Sequence, residues 1–93
     1  MSTTDFSFIR DANTRRYMEN AYIVISALDG GWEFMRTFEP EQGKGFMFSE
    51  HPMLTQIYSR IDTAHSGASL ALVMRGMELF AKQGLAEFRK VYE

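Results

Sequence analysis

Hydrophobic residues recur every three or four positions over much of this chain, which is the spacing of one face of an α-helix. Between Asp11 and Gly30 the apolar stripe consists of Met18, Ala21, Tyr22, Ile25 and Leu28. Asp11 or Asn13 is placed to cap the start of such a helix, and Gly30 to end it. The pattern therefore predicts a first helix that fills most of this interval.

A second helix is predicted over Trp32–Glu39, where large apolar side chains again lie three or four positions apart. Pro40 disfavours helical backbone at the residue before it and ends this helix. Residues 40–44 are polar and turn-like, and apolar residues resume at Phe46, Met47 and Phe48. We expect an aromatic-rich helix–loop segment over residues 32–48.

The strongest helical pattern covers residues 50–65, whose stripe is made of Met53, Leu54, Ile57, Tyr58, Ile61 and Ala64. Ser49 is predicted to cap this helix, with Pro52 tolerated in its first turn. The remaining residues form one long helical pattern that is bent or broken at Gly84. Apolar residues cover nearly the whole circumference over residues 68–73, so we expect helix 67–83 to be central and enclosed at that end.

Together these elements predict an all-α fold, a compact bundle of four to five helices in a single domain over residues 1–93. Phe6, Phe8 and Ile9 are expected to form a short arm that packs on the core. An alternative with β-structure would use Tyr22–Ile25 and Phe46–Phe48 as strands, because short apolar runs fit a strand as well as a helix.

Composition limits the possible functions. The chain has 93 residues with 45% hydrophobic content, which is enough for one core. Ten basic residues against 12 acidic ones, without a basic stripe, argue against nucleic acid as a partner. The absence of cysteine excludes disulfides, thiolate zinc sites and a cysteine nucleophile.

The sequence also bears on location. The longest apolar run, Leu70–Met74, is too short to span a membrane. The first residues lack a secretory signal, so a cytoplasmic location is expected.

Polar residues on helix 50–65 offer one candidate edge for chemistry: His51, Tyr58, Asp62 and His65. The two histidines would lie about 20 Å apart along one helix and cannot bind the same metal ion. Asp62 and His65 supply at most two ligands, and a local ion pair explains them equally well. We therefore predict no metal site and no cofactor.

Two further motifs carry no chemistry on their own. Gly43-Lys44-Gly45 lacks the following helix of a phosphate-binding loop. Ser49-Glu50-His51 are adjacent, and adjacent side chains on a helix point about 100° apart, which argues against a catalytic triad. No catalytic residue is assigned.

Five large aromatic residues fall within one short segment: Trp32, Phe34, Phe38, Phe46 and Phe48. One short helix and a loop cannot turn all of them inward, so we predict a partner-binding surface here. The leading hypothesis is a non-enzymatic protein–protein interaction or structural protein that binds a protein partner or self-associates as a small subunit of a larger assembly. Two alternatives stay open: a small enzyme or ligand-binding protein that uses the polar edge, and a small viral or phage protein that binds a host target.

Overall fold

The computed structural model describes residues 5–39, 51–61 and 67–93, and within these residues the chain forms five helices and no strand. The helices are α1 (Ala12–Ala27), α2 (Gly31–Thr37), α3 (Pro52–Arg60), α4 (Gly67–Gln83) and α5 (Leu85–Tyr92). The predicted all-α bundle is confirmed. The strand alternative is wrong for Tyr22–Ile25, which lies inside α1, and Phe46–Phe48 lies outside the described residues.

Helix α1 starts at the predicted cap. The Asp11 carboxylate accepts hydrogen bonds from the Thr14 backbone N–H at 2.8 Å and from the Thr14 hydroxyl at 2.7 Å. The helix ends at Ala27, because Leu28 is extended and its N–H donates to the carbonyl of Ile25. Gly30 is therefore not the end of α1 as predicted. It has a φ of 75° at the N-cap of α2 and makes the tight turn between the two helices.

Helix α2 is shorter than the predicted Trp32–Glu39. It starts at Gly31 and ends at Thr37, because Phe38 is extended at the C-cap position. The Phe38 side chain is only 6% exposed, so the chain leaves the helix in order to bury this ring.

Helix α3 is also shorter than the predicted helix over residues 50–65. Its N-cap is His51 and not Ser49, and Pro52 occupies its first turn as predicted. Ile61 is extended and only 3% exposed, so its side chain reaches the core from beyond the helix end. The apolar spacing cannot distinguish this arrangement from a continuing stripe, because it records burial and not backbone conformation.

Helix α4 is the central element, as predicted. It packs against α1, α2 and α5, whereas α3 packs against α1. The predicted break at Gly84 is confirmed: this glycine has a φ of 92° and separates α4 from α5. None of the helices in the described ranges is long and apolar enough to cross a membrane.

The core is rich in aromatic side chains that meet edge to face. The ring of Phe6 lies 5.5 Å from that of Phe88, 5.8 Å from that of Tyr22 and 6.2 Å from that of Phe80, measured between ring centroids. Phe6 and Ile9 are 1% and 2% exposed, so the predicted N-terminal arm packs on the core. The arm thereby contacts α1, α4 and α5.

Gly76 on α4 is crowded by side chains from both α1 and α5. A Cβ atom built on this residue would lie 2.7 Å from the Cε of Met18 and 2.8 Å from the hydroxyl of Tyr92. Because Gly76 has no side chain, it leaves room for one side chain from α1 and one from α5.

Candidate binding site

A groove of about 630 Å³ opens where the start of α1, the middle of α4 and the end of α5 meet. We call it the α1/α4/α5 groove. It is lined by Ile9, Arg10, Asp11, Asn13, Thr14, Tyr17, Met18, Leu72, Val73, Val91, Tyr92 and Glu93. Gly76 is placed beneath it, since the Met18 and Tyr92 side chains that line the groove are the two that crowd this glycine.

The floor of the groove is apolar and buried. Ile9, Met18 and Val73 are 3% exposed or less, and the ring of Tyr17 is 6% exposed. These residues come from the N-terminal arm, α1 and α4, which the core already holds in place. The floor is thus preformed by the fold.

One rim of the groove is apolar and exposed. Leu72 on α4 is 65% exposed and Val91 on α5 is 63% exposed, the highest values among the large hydrophobic side chains that the structure describes. Exposed apolar side chains beside a buried apolar floor form a surface that an apolar group can cover. The other strongly exposed aliphatic residue, Ile23, is not part of this groove.

A polar part of the rim comes from the start of α1 and the two residues before it. It includes Arg10, Asp11 and Asn13, all of which are exposed. The hydrogen bonds from Thr14 hold the pKa of the Asp11 carboxyl below its ordinary value of 3.8. Asp11 is therefore a structural carboxylate that stays ionised near neutral pH.

The groove ends at the last residues of α5. The ring of Tyr92 lies 4.7 Å from that of Phe88 between centroids, tilted by 32°, and burial raises the pKa of the Tyr92 hydroxyl. The Glu93 carboxylate lies 3.4 Å from Nε of Arg89. These contacts order the C-terminal side of the groove.

The predicted partner-binding aromatics lie elsewhere, and those within the described residues pack inward. Trp32 is half-buried, lies 5.4 Å from the rings of Tyr22 and Phe80, and donates from its indole N–H to the Ser26 hydroxyl at 2.9 Å. Phe38 is buried, and the half-buried Phe34 stacks on it at 5.2 Å.

The remaining two predicted partner-binding residues, Phe46 and Phe48, lie outside the described residues. A partner-binding role for the five aromatics stays a prediction.

The predicted polar edge is brought together only in part. His51 is the N-cap of α3, and its ring lies 5.2 Å from that of Phe38 and 6.1 Å from that of Phe34. Tyr58 is 36% exposed on α3, two positions before the helix ends. Asp62 and His65 lie outside the described residues. The predicted helix that was to carry all four residues ends at Arg60, so their alignment on one face no longer follows.

Within the described parts of the chain, no three or more histidine, aspartate or glutamate side chains are grouped so that they could hold a metal ion. What the groove offers is an apolar floor, an apolar rim and a polar rim. Such a lining suits a molecule or side chain with an apolar body and a polar end.

Sequence reasoning did not find this groove. The sequence pattern over residues 68–73 covers nearly the whole helix circumference with apolar residues, and we expected this end of the helix to be enclosed. That expectation is wrong for Leu72, which is 65% exposed although α4 packs against α1, α2 and α5.

No protein-family model, no curated protein and no solved structure matches this chain.

Proposed function

We propose that this chain is a non-enzymatic binding protein that takes an apolar group of its partner into the α1/α4/α5 groove. The observation that supports this most directly is that the two most exposed large hydrophobic side chains of the described residues, Leu72 and Val91, line the same groove. Leaving both in water costs solvation free energy, and a bound apolar group would recover it.

The ionisable groups of the groove favour binding over catalysis. A general acid or base works best when its pKa lies near the working pH. The pKa of Asp11 is instead lowered by its capping hydrogen bonds, and that of Tyr92 is raised by burial. Both shifts move the group away from neutral pH.

The groove is a better supported surface than the aromatic segment on which the sequence-based hypothesis rested. Trp32 and Phe38 fill positions in or against the core, so removing them would damage the fold as well as any interface. Leu72 and Val91 are exposed, so the fold does not need their apolar surface. Protein–protein contact at the aromatic segment and activity at the polar edge stay as predictions.

The proposal is tested with Nile red, a neutral dye whose fluorescence rises in apolar surroundings. We expect the wild-type protein to bind it and Leu72→Asp and Val91→Asp each to lower the affinity about tenfold, because a carboxylate would be desolvated against the dye. Ile23→Asp is the matched control: Ile23 is a helical aliphatic residue with 57% exposure that does not line the groove.

Circular dichroism should show the same helix content in all four proteins, since each substituted side chain is exposed. The proposed function is wrong if the wild type binds no dye, or if Ile23→Asp lowers the affinity as much as the two groove variants do.

A further inference from the structure

Helices α4 and α5 fold back on each other at a single glycine, Gly84, and their contacts are symmetric about it. Phe80 lies four residues before Gly84, Phe88 lies four residues after it, and the centroids of their rings are 5.7 Å apart. Eight residues from Gly84 on either side, Gly76 faces Tyr92, whose hydroxyl would lie 2.8 Å from a Cβ atom built on Gly76. Both pairs therefore have Gly84 at their midpoint in the sequence.

Two straightened copies of this helical hairpin would form the same pairs between chains, if they lay antiparallel with their Gly84 residues side by side. Phe80 of each copy would then meet the partner's Phe88. We infer that α4 and α5 can join into one continuous helix, and that two copies of this chain then exchange α5 in a two-fold symmetric dimer. This inference goes beyond the proposed function and does not depend on it.

The apolar pattern of the sequence continues through the break in the helix. On both sides of Gly84 the apolar residues keep the spacing of one helix face: Met77, Phe80, Phe88 and Val91. Gly84 is the one residue between α4 and α5, and it has a φ of 92°. A change of backbone conformation at this residue thus separates the folded-back form from a continuous helix.

The helical hydrogen bonds of both helices stop at the junction. The last bond of α4 runs from the N–H of Gly84 to the carbonyl of Phe80, and the first bond of α5 runs from the N–H of Phe88 to the carbonyl of Gly84. Gly84 has no side chain with which to cap α5. In a continuous helix the N–H groups of residues 85–87 would donate to the carbonyls of residues 81–83, so straightening adds helical hydrogen bonds.

A straightened chain needs a second copy in order to bury Phe88. This ring is 0% exposed in the folded-back form and lies 5.5 Å from the ring of Phe6. Moving it into water is costly. The site that fits it is the one that a second copy vacates when its own α5 straightens. The exchanged helix also carries Val91, Tyr92 and Glu93, so the other chain completes each α1/α4/α5 groove of the dimer.

The oligomeric state of the full chain tests the exchange, by size-exclusion chromatography with light scattering over a range of protein concentrations. We expect the wild type to be a monomer when dilute and to form a dimer as the concentration rises. In a dimer refolded from mixed isotope-labelled and unlabelled protein, a nuclear Overhauser effect should connect Phe80 of one chain with Phe88 of the other. The inference is wrong if the wild type stays monomeric at every concentration, or if this contact stays within one chain.

Replacing Gly84 with alanine shifts the equilibrium at the hinge itself. Alanine is strained at the φ of 92° and ψ of 175° of Gly84 and is the better residue in a continuous helix, so Gly84→Ala should raise the dimerisation constant about hundredfold. Gly30→Ala is the matched control. Gly30 also has a positive φ and open space where its Cβ would lie, but it joins α1 to α2.

We expect Gly30→Ala to leave the dimerisation constant unchanged. An equal rise in the two variants, or no rise in Gly84→Ala, would contradict the exchange. The wild-type measurements decide the question even if Gly84→Ala does not fold.

Leu72→Asp separates exchange from simple docking of two copies through their grooves. The exchanged dimer repeats the packing of the monomer, in which Leu72 is 65% exposed, so this variant should dimerise as the wild type does. Loss of the dimer in Leu72→Asp would show docking through the groove and would overturn the exchange. Failure of Nile red to bind overturns the proposed function alone, whereas failure to dimerise overturns this inference alone.

Discussion

The ammonium group of Lys82 donates a hydrogen bond of 2.6 Å to the backbone carbonyl of Phe38, 44 residues earlier in the chain. The same group lies 2.9 Å from the carboxylate of Glu78, one turn before it on α4. Phe38 is the C-cap of α2, one position beyond its last helical residue, Thr37. Lys82 thus ties the end of α2 to the last turn of the central helix.

Replacing Lys82 with methionine should lower the free energy of unfolding by about 1–2 kcal/mol, because a part-buried carbonyl loses a charged donor. Urea denaturation measures the change. Lys90→Met is the control: its pair with Glu87 is exposed, so we expect a loss below about 0.5 kcal/mol. Equal losses in the two variants would show that the Lys82 contact with Phe38 adds no stability.

A second prediction concerns the close approach at Gly76. Gly76→Ala should destabilise the protein by about 1 kcal/mol, although alanine is the better helix former, because the new methyl overlaps the ends of the Met18 and Tyr92 side chains and the buried Met18 has little room to move. Thermal or urea unfolding checks the sign.

A double-mutant cycle identifies the cause of this loss. In a Tyr92→Phe background the hydroxyl that lies 2.8 Å from the new Cβ is gone, so Gly76→Ala should cost less there. The same cost in both backgrounds would assign the effect to Met18 alone. A gain in stability from Gly76→Ala would show that the three helices have room to separate.

The sequence is sufficient to locate the helices, but it does not predict every residue at which a helix ends. Apolar periodicity located each helix, and Asp11, Pro52 and Gly84 marked boundaries through local chemistry that acts within one turn. The ends at Phe38 and Ile61 were missed because these residues leave the helix to bury their side chains. Such an ending depends on where the core lies, which is a tertiary property.

The α1/α4/α5 groove was harder to predict from the sequence than the fold was. It combines residues from the arm, α1, α4 and α5, so no local pattern describes it. The high density of aromatic residues over residues 32–48 led us to predict the interaction surface there instead. In the structure, Phe38 lies in the hydrophobic core and Trp32 packs against it. A dense aromatic segment is ambiguous in a small domain, because the same side chains suit a core and an interface equally.

The role of Trp32 can be decided by truncation. Trp32→Ala removes ring contacts with Tyr22 and Phe80 and the hydrogen bond to Ser26, so we expect the free energy of unfolding to fall by about 2–4 kcal/mol. Ile23→Ala, at an exposed position on α1, should cost less than about 0.5 kcal/mol.

Urea titrations of both variants give these values. Should Trp32→Ala keep full stability and yet lose a protein that co-purifies with the wild type, the indole would be an interface residue, as the sequence-based hypothesis holds.

The last prediction concerns the acid sensitivity of the cap at Asp11. Hydrogen bonds from Thr14 lower the pKa of Asp11 in the folded chain below its ordinary value of 3.8, so the unfolded chain binds the proton more tightly. The stabilisation from the ionised cap is therefore present above the unfolded pKa and is lost as the pH falls through the folded pKa.

Asp11→Asn keeps a capping oxygen but cannot ionise. We expect this variant to be less stable than the wild type near neutral pH, and the difference to vanish in strong acid, once the wild-type carboxyl is protonated as well. Urea unfolding over a range from about pH 7 to about pH 2 measures the difference.

Asp29→Asn is the control. Asp29 is exposed in the α1–α2 turn and has no hydrogen bond to the described residues. A stability gap between Asp11→Asn and the wild type that stays constant with pH would show that the charge of the cap contributes nothing.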